Sequence, residues 1–341
     1  MSYIVGLGEI MLRLSSIDNE RLLQTPMLNA HFGGCEANVC VSASRFGIKT
    51  KYVSVLPDNA LGKKVEELLL SQKVDTSCIF WDGKRLGLYF LDMGKDNRQS
   101  SVIYDREYSA ISEASYDIFD WDNIFKDAKY LHITGITAGI SENGRLITLY
   151  AVKEAKKRNI KISFDINYRS KLWKYGKNVS DVIPEIVEYV DILFANEYDA
   201  INILNIESDI EYNNINTDEE YTNLMQKVIK KYNIETIVTT KRKVVNSSHN
   251  IYSAKLIHNN KLYKSKEYNI TNIVDRVGSG DAFVAGILSG FYLFENDIKD
   301  VLNFAVSAAT IKHSIYGDWN LVTKEEVINL MNSSSSKDVS R

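Results

Sequence analysis

Short runs rich in β-branched and aromatic residues alternate with longer amphipathic stretches along most of this chain. That alternation limits the fold more than any other feature. The strand-like runs are Tyr3–Leu7, Tyr52–Leu56, Tyr130–Thr134, Ile160–Phe164, Ile192–Phe194 and Thr236–Thr239. Between them lie helix-like stretches at Gly34–Phe46, Gly62–Ser71, Arg145–Lys157, Val182–Val190 and Tyr221–Tyr232. In Gly62–Ser71, Val65, Leu68 and Leu69 share one face and Lys63, Glu66 and Glu67 lie largely elsewhere. Strands that alternate with helices pair in parallel and carry the helices on both faces. The expected class is a three-layer αβα fold around a mainly parallel central sheet.

Two regions break the alternation. Leu86–Met93 and Ser101–Arg106 both read as strands, and the turn-rich Gly94-Lys95-Asp96-Asn97-Arg98-Gln99 between them predicts an inserted hairpin. A second hairpin is expected over Asn250–Tyr268, turning at Asn259-Asn260. No internal repeat and no inter-domain linker divides the chain, so residues 1–330 are read as one domain. The Ser333–Ser336 run places 331–341 in a disordered tail.

Composition removes several function classes. Lys+Arg is 41 and Asp+Glu is 44, a formal net charge of -3, which argues against a basic nucleic-acid binder. Three cysteines, Cys35, Cys40 and Cys78, have neither disulfide-framework nor zinc spacing and suit a reducing compartment. The start MSYIVGLGEIM lacks a basic leader region, and the apolar stretches are broken before membrane length, so a cytoplasmic protein is expected. Gly6-Leu7-Gly8 begins like a dinucleotide fingerprint, but Met11 stands in the third glycine's place. No GxxxxGK[ST] sequence is present.

The segment richest in chemistry is Asp275-Arg276-Val277-Gly278-Ser279-Gly280-Asp281, which runs into the apolar stretch Ala282–Phe294. Glycines let backbone approach a ligand closely, and the free N–H groups of a helix start attract phosphate oxygens. A carboxylate in that first turn, Asp281, can take the proton of a hydroxyl that attacks a bound phosphate. The same features also have a purely structural reading, a loop followed by an acid that complements the helix dipole. Earlier in the chain, Gly33-Gly34-Cys35-Glu36-Ala37-Asn38 places a Gly-Gly turn before a helix of small residues. Asn38, one turn in, offers a donor and an acceptor to a sugar hydroxyl.

An early Gly-Gly-x-x-x-Asn paired with a late Gly-x-Gly-Asp resembles the ribokinase-like (PfkB) carbohydrate kinase family. The likeness extends from about Tyr3 to Asn329. In the family's usual late signature, Asp-Thr-x-Gly-Ala-Gly-Asp, Arg276 here replaces the Thr and Ser279 the Ala, while both aspartates and the outer glycines stand. The resemblance implies ATP as phosphoryl donor, Asp281 as catalytic base, and an anion hole from Gly278, Ser279 and Gly280. It implies a Mg²⁺-associated motif at Asn196-Glu197-Tyr198-Asp199, with Asp199 acting through water. Nucleotide contacts are expected from Asn167, Asn196, Thr240, Lys241, Gly278 and Gly280. The Thr240-Lys241-Arg242-Lys243 stretch lacks the glycine usual in that loop.

Within the family the chain is most similar to the kinases of 2-keto-3-deoxygluconate. The similarity lies in Gly8-Glu9-Ile10-Met11, Tyr89, Tyr104-Asp105-Arg106, Asp165–Trp173 and Asp318. It implies a small β lid, from about residues 12–33 and 86–106, closing over the sugar. It implies sugar contacts from Gly33, Gly34, Asn38, Tyr89, Tyr104, Arg106, Arg169 and Asp318, and a homo-oligomer whose lids meet. Three other functions stay open at this point: a fructokinase or other sugar kinase of the same fold, a non-catalytic sugar-binding protein, and a structural α/β protein.

Overall fold

In the computed structural model, which describes residues 2–17, 20–295 and 297–333, each strand-like run becomes a strand. β1 (Tyr3–Leu7), β2 (Met11–Ser15) and β3 (Asn29–Gly33) precede helix Cys35–Arg45. β4 (Thr50–Leu56), β5 (Asp75–Trp81), β6 (Gly87–Asp92) and β7 (Ser101–Asp105) follow. After them come β8 (Ala128–Thr134), β9 (Lys161–Asp165) and β10 (Ile192–Phe194). The last four are β11 (Thr236–Asn246), β12 (His249–His258), β13 (Lys261–Lys264) and β14 (Tyr268–Thr271).

Among the described residues the large sheet runs β13-β12-β11-β10-β9-β8-β1-β4-β5, with β14 also paired to β12. From β5 to β11 all pairings are parallel; those of β12 to β11, β13 and β14 are antiparallel. Parallel strands are buried on both faces, and the side chains of one strand feed two cores. Val5 and Leu7 of β1 pack with helix Glu142–Lys157, while Ile4 packs on the other face with helices Ser279–Leu293 and Ile298–Lys312. Helix starts are fixed by local chemistry. Ser141 accepts from Gly144 N, and Thr217 with Glu220 makes a reciprocal capping box for helix Asp218–Tyr232.

A second, four-stranded sheet has the order β3-β2-β6-β7. β2 and β6 pair in parallel, and β3 and β7 flank them antiparallel. This sheet comes from the two stretches that the lid reading marks.

Three expectations need correction. The strand that begins at Thr236 does not end at Thr239 but continues to Asn246, so Thr240-Lys241-Arg242-Lys243 is strand rather than loop. Its charged residues carry no apolar alternation. They are recruited by register with β12, where Lys241 faces Ser253 and Arg242 faces Tyr252. The helix after the Gly-Ser-Gly turn begins at Ser279, so Ser279 and Gly280 are already helical. The expected tail from 331 is ordered at its start: helix Lys324–Asn332 includes Met331, buried at 7% exposure, and residues 334–341 lie outside the described residues.

Candidate active site

Chain order in the large sheet reverses between β1 and β8, a point where open α/β sheets form a crevice beyond their strand ends. Glu9 follows β1, Thr134 ends β8, Asp165 ends β9, and Asn196 and Asp199 follow β10. Helix Cys35–Arg45 crosses this edge very close to β1. A Cβ on Gly8 would stand 2.1 Å from Glu36 Oε2, so only glycine leaves room for that carboxylate. Glu36 Oε1 accepts from Thr134 N at 2.9 Å, Thr134 Oγ1 at 2.8 Å and Thr137 Oγ1 at 3.3 Å. Burial pushes its pKa up to about 7 against those bonds.

The Gly-Ser-Gly turn is held from both sides. Asp275 Oδ1 accepts from Val277 N at 3.0 Å, and Oδ2 accepts from Gly317 N at 3.1 Å. Gly278 has φ +80°, and a Cβ there would lie 1.9 Å from the carbonyl oxygen of Asp318. No side chain caps helix Ser279–Leu293. Ser279 N, expected as an anion-hole donor, instead donates to Arg276 O at 3.2 Å, so the amides of Gly280 and Asp281 and the helix dipole are what an anion could use. Asp281, 7% exposed in that first turn, accepts from Asn38 Nδ2 at 2.6 Å. Desolvation pushes its pKa up to about 6 and the Asn38 bond opposes this; Asp318 raises it further, while the Cys35 thiol and the Arg169 charge lower it. An aspartate tuned close to neutrality beside an anion site suits a general base.

The other expected residues are placed as follows. Tyr89 donates its hydroxyl hydrogen to Asp318. Its ring lies 6.3 Å from that of Tyr104, and the Arg106 guanidinium is 5.5 Å from the Tyr104 centroid. Gly33 leaves room for the Asp318 carboxylate, and Gly34 for the Glu9 carbonyl. Arg169 is exposed, yet its charge is felt by Asp281, Asp165 and Asp199. Asn167 N donates to Asp165 Oδ1 at 3.0 Å, and its side-chain amide contacts Cys35 Sγ at 3.5 Å. Asn196 and Asp199 exchange bonds, Asn196 N to Asp199 Oδ2 at 2.9 Å and Asp199 N to Asn196 Oδ1 at 3.0 Å. Burial first, and then nearby acids, raise Asp165 to about 7; burial raises Asp199 to about 6.

Some placements differ from the sequence reading. Asn38 spends its donor on Asp281 rather than keeping both groups for a sugar. Arg106 is 7% exposed and its guanidinium is already ion-paired with buried Glu9. Among the described residues no hydrogen bond or ion pair ties Thr240 or Lys241 to the Asp281 cluster; Lys241 is pushed down by desolvation and by Lys255. Sequence reasoning missed Arg13, Glu9 and Glu36. Glu9 stands in Gly8-Glu9-Ile10-Met11, but nothing local distinguishes an acid that pairs with Arg106 from a surface one.

Among the described residues no helix is long and apolar enough to cross a membrane. No group of three or more His, Cys, Asp or Glu side chains there could hold a metal ion directly.

Comparison with known proteins fits this geometry. The profile of the pfkB family of carbohydrate kinases matches residues 1–321. A 2-dehydro-3-deoxygalactonokinase of Haloferax volcanii is 31% identical, covering 95% of each chain. A 2-dehydro-3-deoxygluconokinase of Thermoproteus tenax is 27% identical over 93% of this chain and 90% of its own. The crystal structure of the Thermotoga maritima 2-dehydro-3-deoxygluconokinase superposes with a TM-score of 0.92 at 36% identity, covering 98% of this chain and 100% of that one. The fold, the buried Asp281 beside an uncapped helix start and the family match over nearly the whole length agree, and the chain belongs to the pfkB family of carbohydrate kinases.

Proposed function

We propose that this kinase transfers the γ-phosphoryl group of ATP to the terminal hydroxyl of a 2-keto-3-deoxy sugar acid, 2-keto-3-deoxygluconate being the first choice. The observation that carries the reading is that Asp281, buried and shifted to about 6, feels the charge of Arg169, while Arg106 stands beside the Tyr104 ring at the end of the small sheet. A sugar acid enclosed there brings a carboxylate, whose burial is costly unless a cation meets it. Arginine keeps its charge when desolvated and binds carboxylate with a planar fork.

In this mechanism Asp281 takes the proton of the attacking hydroxyl. The amides of Gly280 and Asp281 stabilise charge that develops on the transferred phosphoryl group. Tyr89, Tyr104 and Asp318 hold the sugar, and the small sheet acts as a lid that keeps water from competing for the phosphoryl group. Asn196 and Asn167 line the nucleotide side. Mg²⁺ keeps much of its hydration, so a site without three protein ligands still suits it; Asp165 and Asp199, both raised by burial, would face it through water. Bound with ATP, the ion would offset phosphate charge.

A neutral ketose such as fructose is the second reading. The ion pair between Arg106 and Glu9 favours it, because that arginine is already compensated. The test is kcat/KM by ADP release for 2-keto-3-deoxygluconate, its galactonate epimer and fructose. Preference for either keto acid supports the proposal. Preference for fructose overturns it, and ligand binding without ADP release supports a non-catalytic sugar-binding protein.

A further inference from the structure

Arg13 takes no part in the mechanism above, yet it is among the most deeply buried side chains in the protein. It lies on β2, in register with His31 of β3 and Tyr89 of β6. Along β2 the buried positions are Met11, Arg13 and Ser15, while Leu12 and Leu14 are only partly buried. A charge therefore occupies the inward face between two flanking leucines. Such a placement needs partners, because an isolated buried cation is very costly.

The partners are two carboxylates from two other parts of the chain. Arg13 Nη2 lies 2.7 Å from Asp275 Oδ2, and Nη1 lies 3.0 Å from Asp318 Oδ1. Nη2 also contacts Met93 Sδ at 3.4 Å. Each acid has a second attachment. Asp275 holds Val277 N and Gly317 N, and so sets the entry to the Gly-Ser-Gly turn. Asp318 accepts from Tyr89, and its backbone carbonyl packs against Gly278. Lys312, wholly buried and pushed down by desolvation, lies near both acids and donates to Ile315 O at 3.0 Å. One guanidinium of the small sheet thus joins the acid that shapes the turn to the acid that anchors Tyr89.

We infer that Arg13 is a positioning residue that couples the seating of the small sheet to the geometry of the turn Gly278–Asp281. The sugar side and the phosphate side then share one ion network, and the turn reaches its working shape when the sheet is docked. The planar fork of arginine spans both carboxylates, whereas an ammonium reaches one at a time. This inference rests on the proposed role of the Gly278–Asp281 turn as the phosphate site.

The test compares wild type with Arg13→Lys and Arg13→Met, measuring ADP and sugar phosphate separately, with near-UV circular dichroism and Tm recorded in parallel. Arg13→Lys keeps the charge and should fold. Its kcat should fall about tenfold or more, as expected when reacting groups lose alignment. Its KM for ATP should stay within about twofold, the sign that nucleotide binding is intact. The ratio of ADP to sugar phosphate should rise above the wild-type value, because a poorly seated sheet admits water. Arg13→Met should lose more, or fail to fold, and Arg13→Lys then decides alone. Arg13→Lys with wild-type kcat and an unchanged product ratio, whatever its Tm, overturns the inference and leaves Arg13 a structural residue. Wild type that phosphorylates none of the three sugars overturns the functional reading beneath it as well.

Discussion

Asn38 Nδ2 donates a 2.6 Å hydrogen bond to Asp281 Oδ2, joining residues 243 positions apart in the chain. The early Gly-Gly segment and the late Gly-x-Gly-Asp segment meet through this bond, and it acts directly on the proposed base.

That bond sets the pH dependence of turnover. Asp281 must be ionised to accept a proton, and its pKa is raised to about 6, so kcat should fall as pH drops through about 6. Donation from Asn38 stabilises the ionised form and holds the pKa down. Asn38→Ala removes the donor, so the acid limb of kcat should move to higher pH. Asp281→Asn should lower kcat by about 10²–10⁴ with nucleotide affinity largely kept. A pH–rate profile of the three proteins decides the point, and an unchanged limb in Asn38→Ala would exclude Asn38 as the tuning group.

Two glycines of the turn should respond differently to alanine. At Gly278 the positive φ and the Asp318 carbonyl, 1.9 Å from a would-be Cβ, force the turn to move. Displacement of about 1 Å at a reacting centre can cost about 10²-fold in rate, so Gly278→Ala should lose activity and stability together. At Gly280 a Cβ meets nothing within 4 Å. Gly280→Ala should therefore keep its Tm, and a fall in kcat there would report the close passage of phosphate over bare backbone. Equal kcat in wild type and Gly280→Ala would place the phosphate elsewhere.

The two arginines separate by stability. Removing Arg106 strands Glu9, which is 4% exposed, and losing one partner of a buried pair costs about 3–5 kcal/mol. Arg106→Ala should lower Tm, and the double change with Glu9→Gln should recover much of it. Arg169 is exposed, so Arg169→Ala should leave Tm nearly unchanged while raising the keto-acid KM and sparing fructose. Equal damage to both sugars in Arg169→Ala would contradict the carboxylate role.

The tip of the β6–β7 hairpin is docked rather than free. Ser247 N donates to Asp96 O and Ser247 Oγ to Arg98 O, both at 2.7 Å, and Asn246 Nδ2 donates to Asp96 Oδ1 at 3.0 Å. A cavity of about 650 Å³, bounded by Met93, Val102, Arg242 and Arg276, lies beside this latch. Changing Asn246 and Ser247 together to Ala removes the two side-chain bonds to the hairpin tip, each worth about 0.5–1.5 kcal/mol net, besides the local bond from Ser248 N to Asn246 Oδ1. If the small sheet closes on the sugar, the sugar KM should rise by about five- to hundredfold while the ATP KM stays put. A rise confined to ATP would put the latch on the nucleotide side.

The sequence alone determined the α/β class, the order of the parallel strands' apolar runs, the inserted hairpin, and the turn that presents Asp281. All of these are local: period-2 and period-3.6 patterning, Gly-rich turns and helix starts are written within a few residues of one another. Tertiary structure decided what those pieces meet. It extended β11 through Thr240-Lys241-Arg242-Lys243 because pairing with β12, not apolar alternation, holds those charged residues in a strand. It turned Asn38 toward Asp281 and gave Glu9 to Arg106. It drew Arg13, between Leu12 and Leu14 on β2, onto Asp275 and Asp318. A buried charge is tolerable only where the fold delivers its opposite, and residues about 260 and 305 positions away leave no local trace of that meeting.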